Sequence, residues 1–355
     1  MNLIPSDDNY LARYVSKRTG KTRLGEMLKS LSLFDDNDVM SALTKLKQQG
    51  IKYLLLGIPE DIGPRANLGK PGSDKGWEAF LHKFCSLQQN EFIQGKEIAV
   101  MGHIYCEDLQ TKSVCLDTSK ADDLRKLREL VRELDERVST ICKMIFDLKL
   151  TPIIIGGGHN NAYPIIRAAS LSQSSAIAAI NLDPHTDFRS CEGRHSGNGF
   201  SYAAKEGFLQ YYFSLGMNEL KNSEANIESL QTYGFQWASY QDIWVRRTYD
   251  FDEALVKAKK YLHDANKVFG IELDVDCLAM MPASAFTNCG IQVQDAEYYV
   301  YDLASELNSC YLHLAEGSPE QHPSNYSAGV NDVGQVYASL VTSFIQAKQS
   351  VRSWH

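Results

Sequence analysis

Short apolar runs alternate along this chain with amphipathic segments of helical period. The runs are apolar at every position rather than at every second one, which is typical of strands buried on both faces. Strands are predicted over 52–57, 97–102, 151–155, 176–183, 211–216, 235–239, 267–275 and 310–315, and helices over 120–148, 160–170, 251–264 and about 331–348. This alternation predicts an α/β fold in which helices cover both faces of a mostly parallel sheet.

The domain organisation follows from the length and from where the pattern begins. A chain of 355 residues can bury a large core. Residues 1–50 carry only helical patches, so we expect an N-terminal extension packed on the core. Residues 51–355 are then expected to form a single α/β catalytic domain.

Composition excludes several classes of protein. The net charge of −8 argues against a nucleic-acid or anionic-membrane surface. No segment approaches the roughly 18 apolar residues of a membrane span, and the N-terminus lacks the basic and apolar parts of a signal peptide. The eight cysteines form no C-x-x-C pair, so we expect reduced thiols. These features predict a cytoplasmic protein that binds neither nucleic acid nor membrane.

Residue types that bind divalent cations follow three of the apolar runs. They are His159 after a triple glycine, Asp183, His185 and Asp187 in a D-x-H-x-D segment, and Asp274 and Asp276 in a D-x-D segment. Carboxyl ends of parallel strands meet at one edge of a sheet, so the three segments are expected to converge there. Within each segment alternate residues point to one side if the strand continues that far.

The charge of this cluster favours two cations over a plain polar core. Crowded and buried carboxylates raise one another's pKa, and two divalent ions offset four ionised aspartates. A D-x-H-x-D segment alone is also compatible with a polar loop. The three segments together predict a binuclear metal site.

The G-G-G-H, D-x-H-x-D and D-x-D segments, in this order, resemble those of the arginase (ureohydrolase) superfamily, and the resemblance covers roughly residues 50–350. It implies a three-layer α/β/α sandwich, a binuclear manganese centre, and hydrolysis of C–N bonds in guanidino or amidino groups. It also implies a homo-oligomer, a trimer or hexamer. Segments 57–63 and 195–200 are most similar to the formimidoylglutamase-type branch.

Several neighbours of the metal-binding residues differ from the superfamily pattern. Gly158 stands where arginases commonly have Asp, and Pro184 stands where they have Ala. Glu272 replaces the usual serine two residues before the D-x-D pair, and Ala279 and Met280 replace the usual Asp-Pro. Because all six candidate ligands are retained, we interpret these differences as bearing on the substrate more than on the metals.

Oxygen-rich sites with two imidazoles suit Mn²⁺, with Fe²⁺, Co²⁺, Ni²⁺ or Zn²⁺ as alternatives, and we expect two Mn²⁺ per chain. The expected nucleophile is then a metal-bridging hydroxide and not a side chain. The chain has neither a G-x-S-x-G elbow nor a P-loop.

Three residues are expected to take part in catalysis. Asp187 can both bind metal and accept a hydrogen bond from the nucleophile. By resemblance His195 matches a mobile proton-shuttle histidine, and Glu316 matches the glutamate that grips the cationic end of the substrate. The alternatives are a surface histidine and an ordinary loop glutamate.

A substrate tail with two carboxylates calls for cations near the site. Arg189 and Arg194 flank the D-x-H-x-D segment and are candidates, with Asn198 in the same loop. The stretch 57–76, which contains Arg65, Asn67 and Lys70, is either the mouth of the site or a surface loop.

The function most consistent with these residues is hydrolysis of N-formimidoyl-L-glutamate to L-glutamate and formamide. The first alternative is a guanidino hydrolase of the arginase, agmatinase or guanidinobutyrase type, which releases urea. A single-metal zinc deacetylase of related fold and a catalytically silent relative remain open as further alternatives.

Overall fold

The computed structural model describes residues 2–15, 19–32, 38–306 and 308–352. Its strands form one sheet: β1 (Leu3–Pro5), β2 (Lys29–Ser30), β3 (Tyr53–Gly57), β4 (Ile98–Ile104), β5 (Thr151–Ile155), β6 (Ile177–Leu182), β7 (Leu209–Met217), β8 (Gln236–Ser239), β9 (Phe269–Asp274) and β10 (Ser309–Ala315). The order is β1-β4-β3-β5-β10-β9-β6-β7-β8, with β2 also paired to β4. Every described pairing is parallel except that of β1 with β4, so the predicted mostly parallel sheet is confirmed.

Helices connect most of these strands. They are α1 (Asp8–Ala12), α2 (Val39–Gln48), α3 (Ile62–Ala66), α4 (Gly76–Phe84), α5 (Glu107–Ser113), α6 (Ala121–Asp147), α7 (Ala162–Gln173), α8 (Gly199–Lys205), α9 (Glu224–Thr232), α10 (Phe251–Ala265), α11 (Val293–Ala304) and α12 (Tyr326–Arg352). The predicted helices correspond to α6, α7, α10 and α12. The last of these is longer than predicted at both ends.

Two hydrophobic cores lie on opposite faces of the sheet. Tyr53 and Leu55 of β3 belong to the core beneath α4, α10, α11 and α12. The alternate residues Leu54 and Leu56 belong to the core beneath α2, α6, α7 and α8. Because successive side chains of a strand point to opposite faces, β3 is buried on both sides. The three-layer α/β/α sandwich is therefore confirmed.

The N-terminal segment contributes to the edge of the sheet. Both β1 and β2 pair with β4, and Leu43 of α2 is fully buried. Gly102 of β4 has a φ of +104°, and a Cβ there would lie 2.0 Å from the carbonyl oxygen of Ile4. A glycine at this position therefore permits the close approach of β1. Residues 16–18 and 33–37 of the predicted extension lie outside the described residues, and the domain boundary stays a prediction.

The strands that carry the candidate site are neighbours. β10 lies between β5 and β9, and β9 pairs with β6 on its other side. The parallel register aligns Leu314 with Ile155 and with Leu273, so the carboxyl ends of these strands are level. Among the described helices, none is both long and apolar enough to cross a membrane.

Candidate metal centre and cavity

His159 is the centre of a first group of candidate ligands. Its Nδ1 lies 3.2 Å from Asp183 Oδ2, 3.0 Å from Asp187 Oδ2 and 3.6 Å from Asp274 Oδ2. All four residues are buried. They come from the ends of β5, β6 and β9, as the sequence predicted.

His185 belongs to a second group. Its Nδ1 lies 3.4 Å from Asp183 Oδ1 and 3.2 Å from Asp276 Oδ2. Asp183 therefore takes part in both groups, one oxygen facing each. In each group the candidate ligand atoms lie within 4.8 Å of one another, which is compatible with a single ion. All six predicted residues are thus brought together in two adjoining groups.

Turns, not extended strands, produce this convergence, and here the sequence-based explanation was wrong. β6 ends at Leu182, and Asp187 has a φ of +45°. The backbone N–H of His185 donates to Asp183 Oδ1 over 2.6 Å, and that of Asp276 donates to Asp274 Oδ1 over 2.8 Å. A left-handed non-glycine residue costs about 1–3 kcal/mol, so the surrounding contacts must hold Asp187 in place.

The electrostatics of the cluster show an excess of negative charge. Burial, together with the charges of Asp276 and Asp183, raises the pKa of Asp274 well above its usual value. Burial and the charge of Asp183 raise the pKa of Asp187 to about 6. For Asp183 burial acts in the same direction, but hydrogen bonds from His159 and His185 outweigh it and lower the pKa.

The residues present fit a pair of divalent cations. The donors are carboxylate oxygens and imidazole nitrogens, the set that suits Mn²⁺ and similar ions. Asp276 Oδ1 is buried and, within the described part of the chain, has no hydrogen-bond partner. A cation would satisfy this oxygen and offset the crowded carboxylates.

Glu60 fixes the loop that leads into His159. Its Oε1 accepts hydrogen bonds from the backbone N–H of Gly158 at 2.7 Å and from Asn161 Nδ2 at 2.8 Å. Its Oε2 accepts the N–H of Gly63 at 2.9 Å. This buried carboxylate lies in segment 57–63, which the sequence marked by resemblance without giving Glu60 a role.

The glycine at position 158 has a steric reason. A Cβ there would lie 2.2 Å from Cδ of Pro64 and 2.5 Å from Oδ1 of Asn160. The aspartate that arginases commonly carry would collide with both. This departure therefore reflects the packing of α3 against the loop.

Glu316 lies at the end of β10 with a φ of +69°. Its Oε1 accepts the backbone N–H of His159, and its Oε2 accepts the hydroxyl of Ser284 at 2.8 Å. Burial raises its pKa to about 8, and the charges of Asp276 and Asp187 add to the effect. The side chain borders the same cavity as the metal-binding groups.

A cavity of about 230 Å³ adjoins the cluster. Its wall includes His185, Asp187, Asp274, Asp276 and Glu316, and the polar residues Asn67, Arg189, Ser196, Lys221, Asn222, Asn226 and Ser284. Mostly polar walls with carboxylates and two cations suit a small, highly charged ligand.

Arg189 and Lys221 are the cations of this cavity. Arg189 Nη1 donates to Asn67 Oδ1 at 2.5 Å, and its Nη2 donates to Glu192 Oε1 at 3.1 Å. Lys221 is exposed and has no ion pair with any described residue. Sequence reasoning identified Arg189 and Asn67 but missed Lys221, Asn222 and Asn226, since no motif marks the start of α9 or the segment before it.

Arg65 lies away from the cavity, where its guanidinium donates to the side-chain and carbonyl oxygens of Ser113. Lys70 does not line the cavity either. Of the predicted mouth stretch, Asn67 and Gly69 form part of the wall.

The structure places Arg194 and Asn198, for which substrate-binding roles were predicted, outside the residues that line the cavity. Arg194 is 2% exposed, its Nε donates to Asp135 Oδ2 at 2.8 Å, and its guanidinium lies over the rings of Tyr163 and Tyr202. Asn198 Oδ1 accepts from Arg194 Nη1 at 2.7 Å. Both residues shape the loop after Asp187 and do not reach the cavity.

His195 is also absent from the cavity wall, although Ser196 and Gly197 form part of it. Its ring is fully buried, and its Nδ1 accepts the backbone N–H of Gly197 at 3.1 Å. Burial, with the charges of Arg189, Arg128 and Arg194, lowers its pKa to about 2. The geometry supports neither the predicted shuttle role nor a surface histidine.

Comparison with known proteins agrees with this architecture. The model of the arginase family matches residues 51–344. The chain belongs to the arginase family. A formimidoylglutamase of Streptococcus pyogenes is 26% identical over 313 residues, which cover 84% of this chain and 86% of that protein. The predicted superfamily is confirmed, and this relative agrees with the predicted branch.

Solved structures show the same fold. A formimidoylglutamase of Bacillus subtilis matches with a TM-score of 0.70 at 14% identity, covering 94% of each chain. The formiminoglutamase of Trypanosoma cruzi, solved with Mn²⁺, matches with a TM-score of 0.67 at 18% identity, covering 92% of this chain and 99% of the other. A proclavaminate amidino hydrolase of Streptomyces clavuligerus matches with a TM-score of 0.64 at 13% identity, over 85% and 93% of the two chains.

Proposed function

We propose that this arginase-family protein hydrolyses N-formimidoyl-L-glutamate to L-glutamate and formamide at a binuclear metal site. The observation that carries the proposal is the pair of ligand groups that share Asp183 and border a cavity with a buried glutamate and two cations. The formimidoylglutamases among its relatives support the choice of substrate.

The metal-binding roles follow the two groups. His159, Asp183, Asp187 and Asp274 are proposed to hold one ion, and Asp183, His185 and Asp276 the other. When bound, the two ions supply a water molecule of lowered pKa as the nucleophile. The donor set favours Mn²⁺, and the Trypanosoma cruzi structure solved with Mn²⁺ supports that choice.

Glu316 is proposed to bind the amidinium. Each carboxylate oxygen has two acceptor positions, so the bonds from His159 and Ser284 leave one free on each oxygen. Two N–H groups of an amidinium match this fork. Burial disfavours the ionised form of Glu316 and so raises its pKa. A positively charged substrate would stabilise that ionised form.

Asp187 is proposed to hold the proton of the attacking water and pass it to the leaving amine nitrogen. Its carboxylate borders the cavity and belongs to the first ligand group, so it lies beside both the proposed ions and the space for the substrate. His195 is given no part in this step, because it is not among the residues that line the cavity.

Arg189 and Lys221 are proposed to bind the two carboxylates of the glutamate moiety. Both border the cavity, and Lys221 has no competing ion pair among the described residues. Agmatine carries a cationic amine at the corresponding end, which these two side chains would repel, and arginine and 4-guanidinobutyrate carry only one carboxylate there. The charge of the cavity therefore favours a dicarboxylate over the guanidino alternatives.

Two expectations come from the sequence, the oligomer from the family resemblance and the location from the composition. We propose a homo-oligomer, a trimer or hexamer, and a cytoplasmic location. Light scattering of the purified protein and fractionation of cells test these two expectations.

A product assay tests the proposed reaction. Manganese-loaded protein is incubated with N-formimidoyl-L-glutamate, arginine, agmatine and 4-guanidinobutyrate, and formamide and urea are measured separately. We expect formamide from the first compound and little urea from the others. Urea as the main product would favour the guanidino alternative.

Metal analysis of the same sample separates the remaining alternatives. Two ions per chain are expected, whereas one ion would favour the zinc deacetylase alternative. A full complement of metal with no hydrolysis of any compound would indicate a catalytically silent relative. The Asp183→Ala variant serves as the metal-deficient control.

A further inference from the structure

We propose that Glu272 is a positioning residue that orients His159 for metal binding. In the metal-loaded protein it holds the proton of His159 on Nε2, so that the Nδ1 lone pair is left for the ion bound by the aspartate cluster. The inference rests on the metal-binding part of the proposed function. It does not depend on which amidine is the substrate.

The two ring nitrogens of His159 face different surroundings. Nδ1 faces the carboxylates of Asp183, Asp187 and Asp274. Nε2 lies on the opposite side, 3.4 Å from Glu272 Oε2. Nε2 is buried and makes no hydrogen bond with any described residue, and Glu272 Oε2 is the carboxylate oxygen that faces it at ion-pair distance.

Glu272 is itself held by two donors from β10. Tyr311 donates its hydroxyl to Oε1 at 2.6 Å, and His313 Nδ1 lies 2.6 Å from Oε2. An ionised carboxylate only accepts hydrogen bonds, so His313 carries a proton on Nδ1. The strand register places His313 directly beside Glu272. The carboxylate therefore has little freedom to turn away from His159.

The sequence of β9 makes room for this arrangement. A Cβ on Gly270 would lie 2.0 Å from Cζ of Tyr311, so only a glycine lets the tyrosine ring pass to Glu272. Glu272, Tyr311 and His313 are all fully buried. A carboxylate in such surroundings is costly unless it is hydrogen-bonded and paired with positive charge. We attribute this cost to a role in metal binding, because Glu272 lies behind a candidate metal ligand.

A carboxylate behind a metal-binding histidine has known physical consequences. It fixes the tautomer and raises the basicity of the imidazole, and its loss typically weakens metal binding by about 10- to 100-fold. The superfamily's usual serine cannot supply a charge at this position. The departure at position 272, first interpreted as a matter of substrate, is thus assigned to the metal.

A third metal ion held by His159, Glu272 and His313 is the competing explanation, because their ligand atoms lie close enough together. Ligands about 2.0–2.2 Å from one ion lie roughly 3 Å or more from one another. The 2.6 Å between His313 and Glu272 is shorter and matches a direct hydrogen bond. The geometry therefore favours a hydrogen-bonded support.

Manganese affinity of the full-length protein tests the proposal. Titration calorimetry of the metal-free protein is expected to show a roughly 10- to 100-fold weaker binding of one Mn²⁺ in Glu272→Gln, with the second ion less affected. Electron paramagnetic resonance should then show a larger fraction of singly occupied sites. Unchanged affinity for both ions would overturn the proposal, as would three ions per wild-type chain.

Tyr311→Phe is the matched control. It removes the other hydrogen bond of Glu272 but leaves Oε2 facing His159. We expect it to lower the melting temperature of the metal-free protein while changing manganese affinity less than threefold. Equal losses of affinity in both variants would indicate a purely structural role and overturn the proposal.

The wild-type protein provides a measurement that does not depend on a variant folding. With ¹⁵N-labelled histidine and diamagnetic Zn²⁺ in the site, nuclear magnetic resonance should show the His159 proton on Nε2 and the metal on Nδ1. The reverse assignment would overturn the proposal. Because none of these readouts uses an amidine, failure of the proposed substrate leaves their outcome unaffected.

Discussion

The backbone N–H of His159 donates to Glu316 Oε1 over 2.9 Å, and the backbone N–H of Glu316 donates to the carbonyl of Gly157 over 2.9 Å. The loops that follow β5 and β10 are thus bonded to each other in both directions. A candidate metal ligand and the proposed amidinium-binding carboxylate are consequently held at a fixed separation. Such fixed geometry is what a preorganised site requires.

Glu316→Gln is expected to remove the negative charge of this side chain while keeping its hydrogen bond with His159. The amide oxygen can still accept the N–H of His159, while the negative charge that pairs with the amidinium is lost. Loss of one partner of a buried charge pair costs about 2–5 kcal/mol, so kcat/KM for N-formimidoyl-L-glutamate should fall at least about 30-fold. Metal content should stay at the wild-type level. Unchanged kcat/KM in steady-state assays would dismiss the role of Glu316.

Asp183→Ala and Asp276→Ala are expected to differ in metal content. Asp183 takes part in both ligand groups, whereas Asp276 takes part in one. After dialysis, elemental analysis should find that Asp183→Ala has lost both ions and Asp276→Ala mainly one. If Asp183→Ala retained two tightly bound ions, the shared role of this carboxylate would be wrong.

Arg189→Ala and Lys221→Ala are expected to raise KM for the dicarboxylate substrate. Arg189 is partly exposed and Lys221 is exposed, so the effect of each is put at about 3- to 10-fold. Turnover of formamidine, which has no carboxylate, should not change in either variant. Arg125→Ala, on the outer face of α6, is the control for a general loss of positive charge. A similar loss of activity toward both compounds would argue against recognition of the tail.

Arg194→Met is expected to destabilise the fold without altering the cavity wall. It leaves Asp135 buried without its cation, and breaking a buried ion pair costs about 3–5 kcal/mol. Burial already raises the pKa of Asp135 to about 6, above its value in the unfolded chain. Loss of Arg194 raises it further.

The sign of the pH dependence follows from that raised pKa. A carboxyl group whose pKa is higher in the folded state favours folding when protonated, so its cost grows as pH rises through the folded pKa. The difference in urea midpoint between wild type and Arg194→Met should therefore be larger at about pH 7.5 than at about pH 5. A difference independent of pH would show that lost packing on Tyr163 and Tyr202 dominates.

His195→Asn is expected to change kcat less than threefold. An asparagine oxygen can replace Nδ1 as the acceptor for the N–H of Gly197, which preserves the turn. His195 does not line the cavity, so loss of its imidazole should leave proton transfer intact. A large fall in kcat with both metals bound would restore the shuttle role predicted from the sequence.

The sequence was sufficient to predict which residues would converge, but not how. His159, Asp183 and Asp274 could be found because carboxyl ends of parallel strands share one edge of the sheet. The left-handed backbone of Asp187 depends on contacts around the loop, which no local pattern records. The candidate ligands therefore converge as predicted, but turns bring them together and not the alternation of side chains along a strand.

Proximity in sequence misled the assignment of Arg194. It lies seven positions after Asp187, yet its partner is Asp135 on α6, 59 residues earlier. Lys221, in contrast, lies in a segment without a motif and reaches the cavity only because β7 carries the chain back to the same edge. Both errors concern contacts that the fold sets over long distances.

Some of the missed elements left a signal and others did not. α11 buries Ala296, Tyr299, Val300 and Leu303, a spacing of three and four residues that indicates a helix. α9 buries only Leu230, so it has no apolar period to detect. The order of the strands, in which β10 lies between β5 and β9, cannot be predicted from any local sequence pattern.

β10 comes late in the chain but lies in the middle of the sheet, so the sheet can be completed only late in synthesis. Until residues 309–315 have emerged, nothing bridges β5 and β9, and His159 remains on a different half of the sheet from Asp183 and Asp274. A nascent or prematurely terminated chain that stops short of β10 carries two unpaired inner edges, which invite aggregation. The ligand group around His159 is therefore complete only after β10 has joined the sheet, late in the synthesis of each molecule.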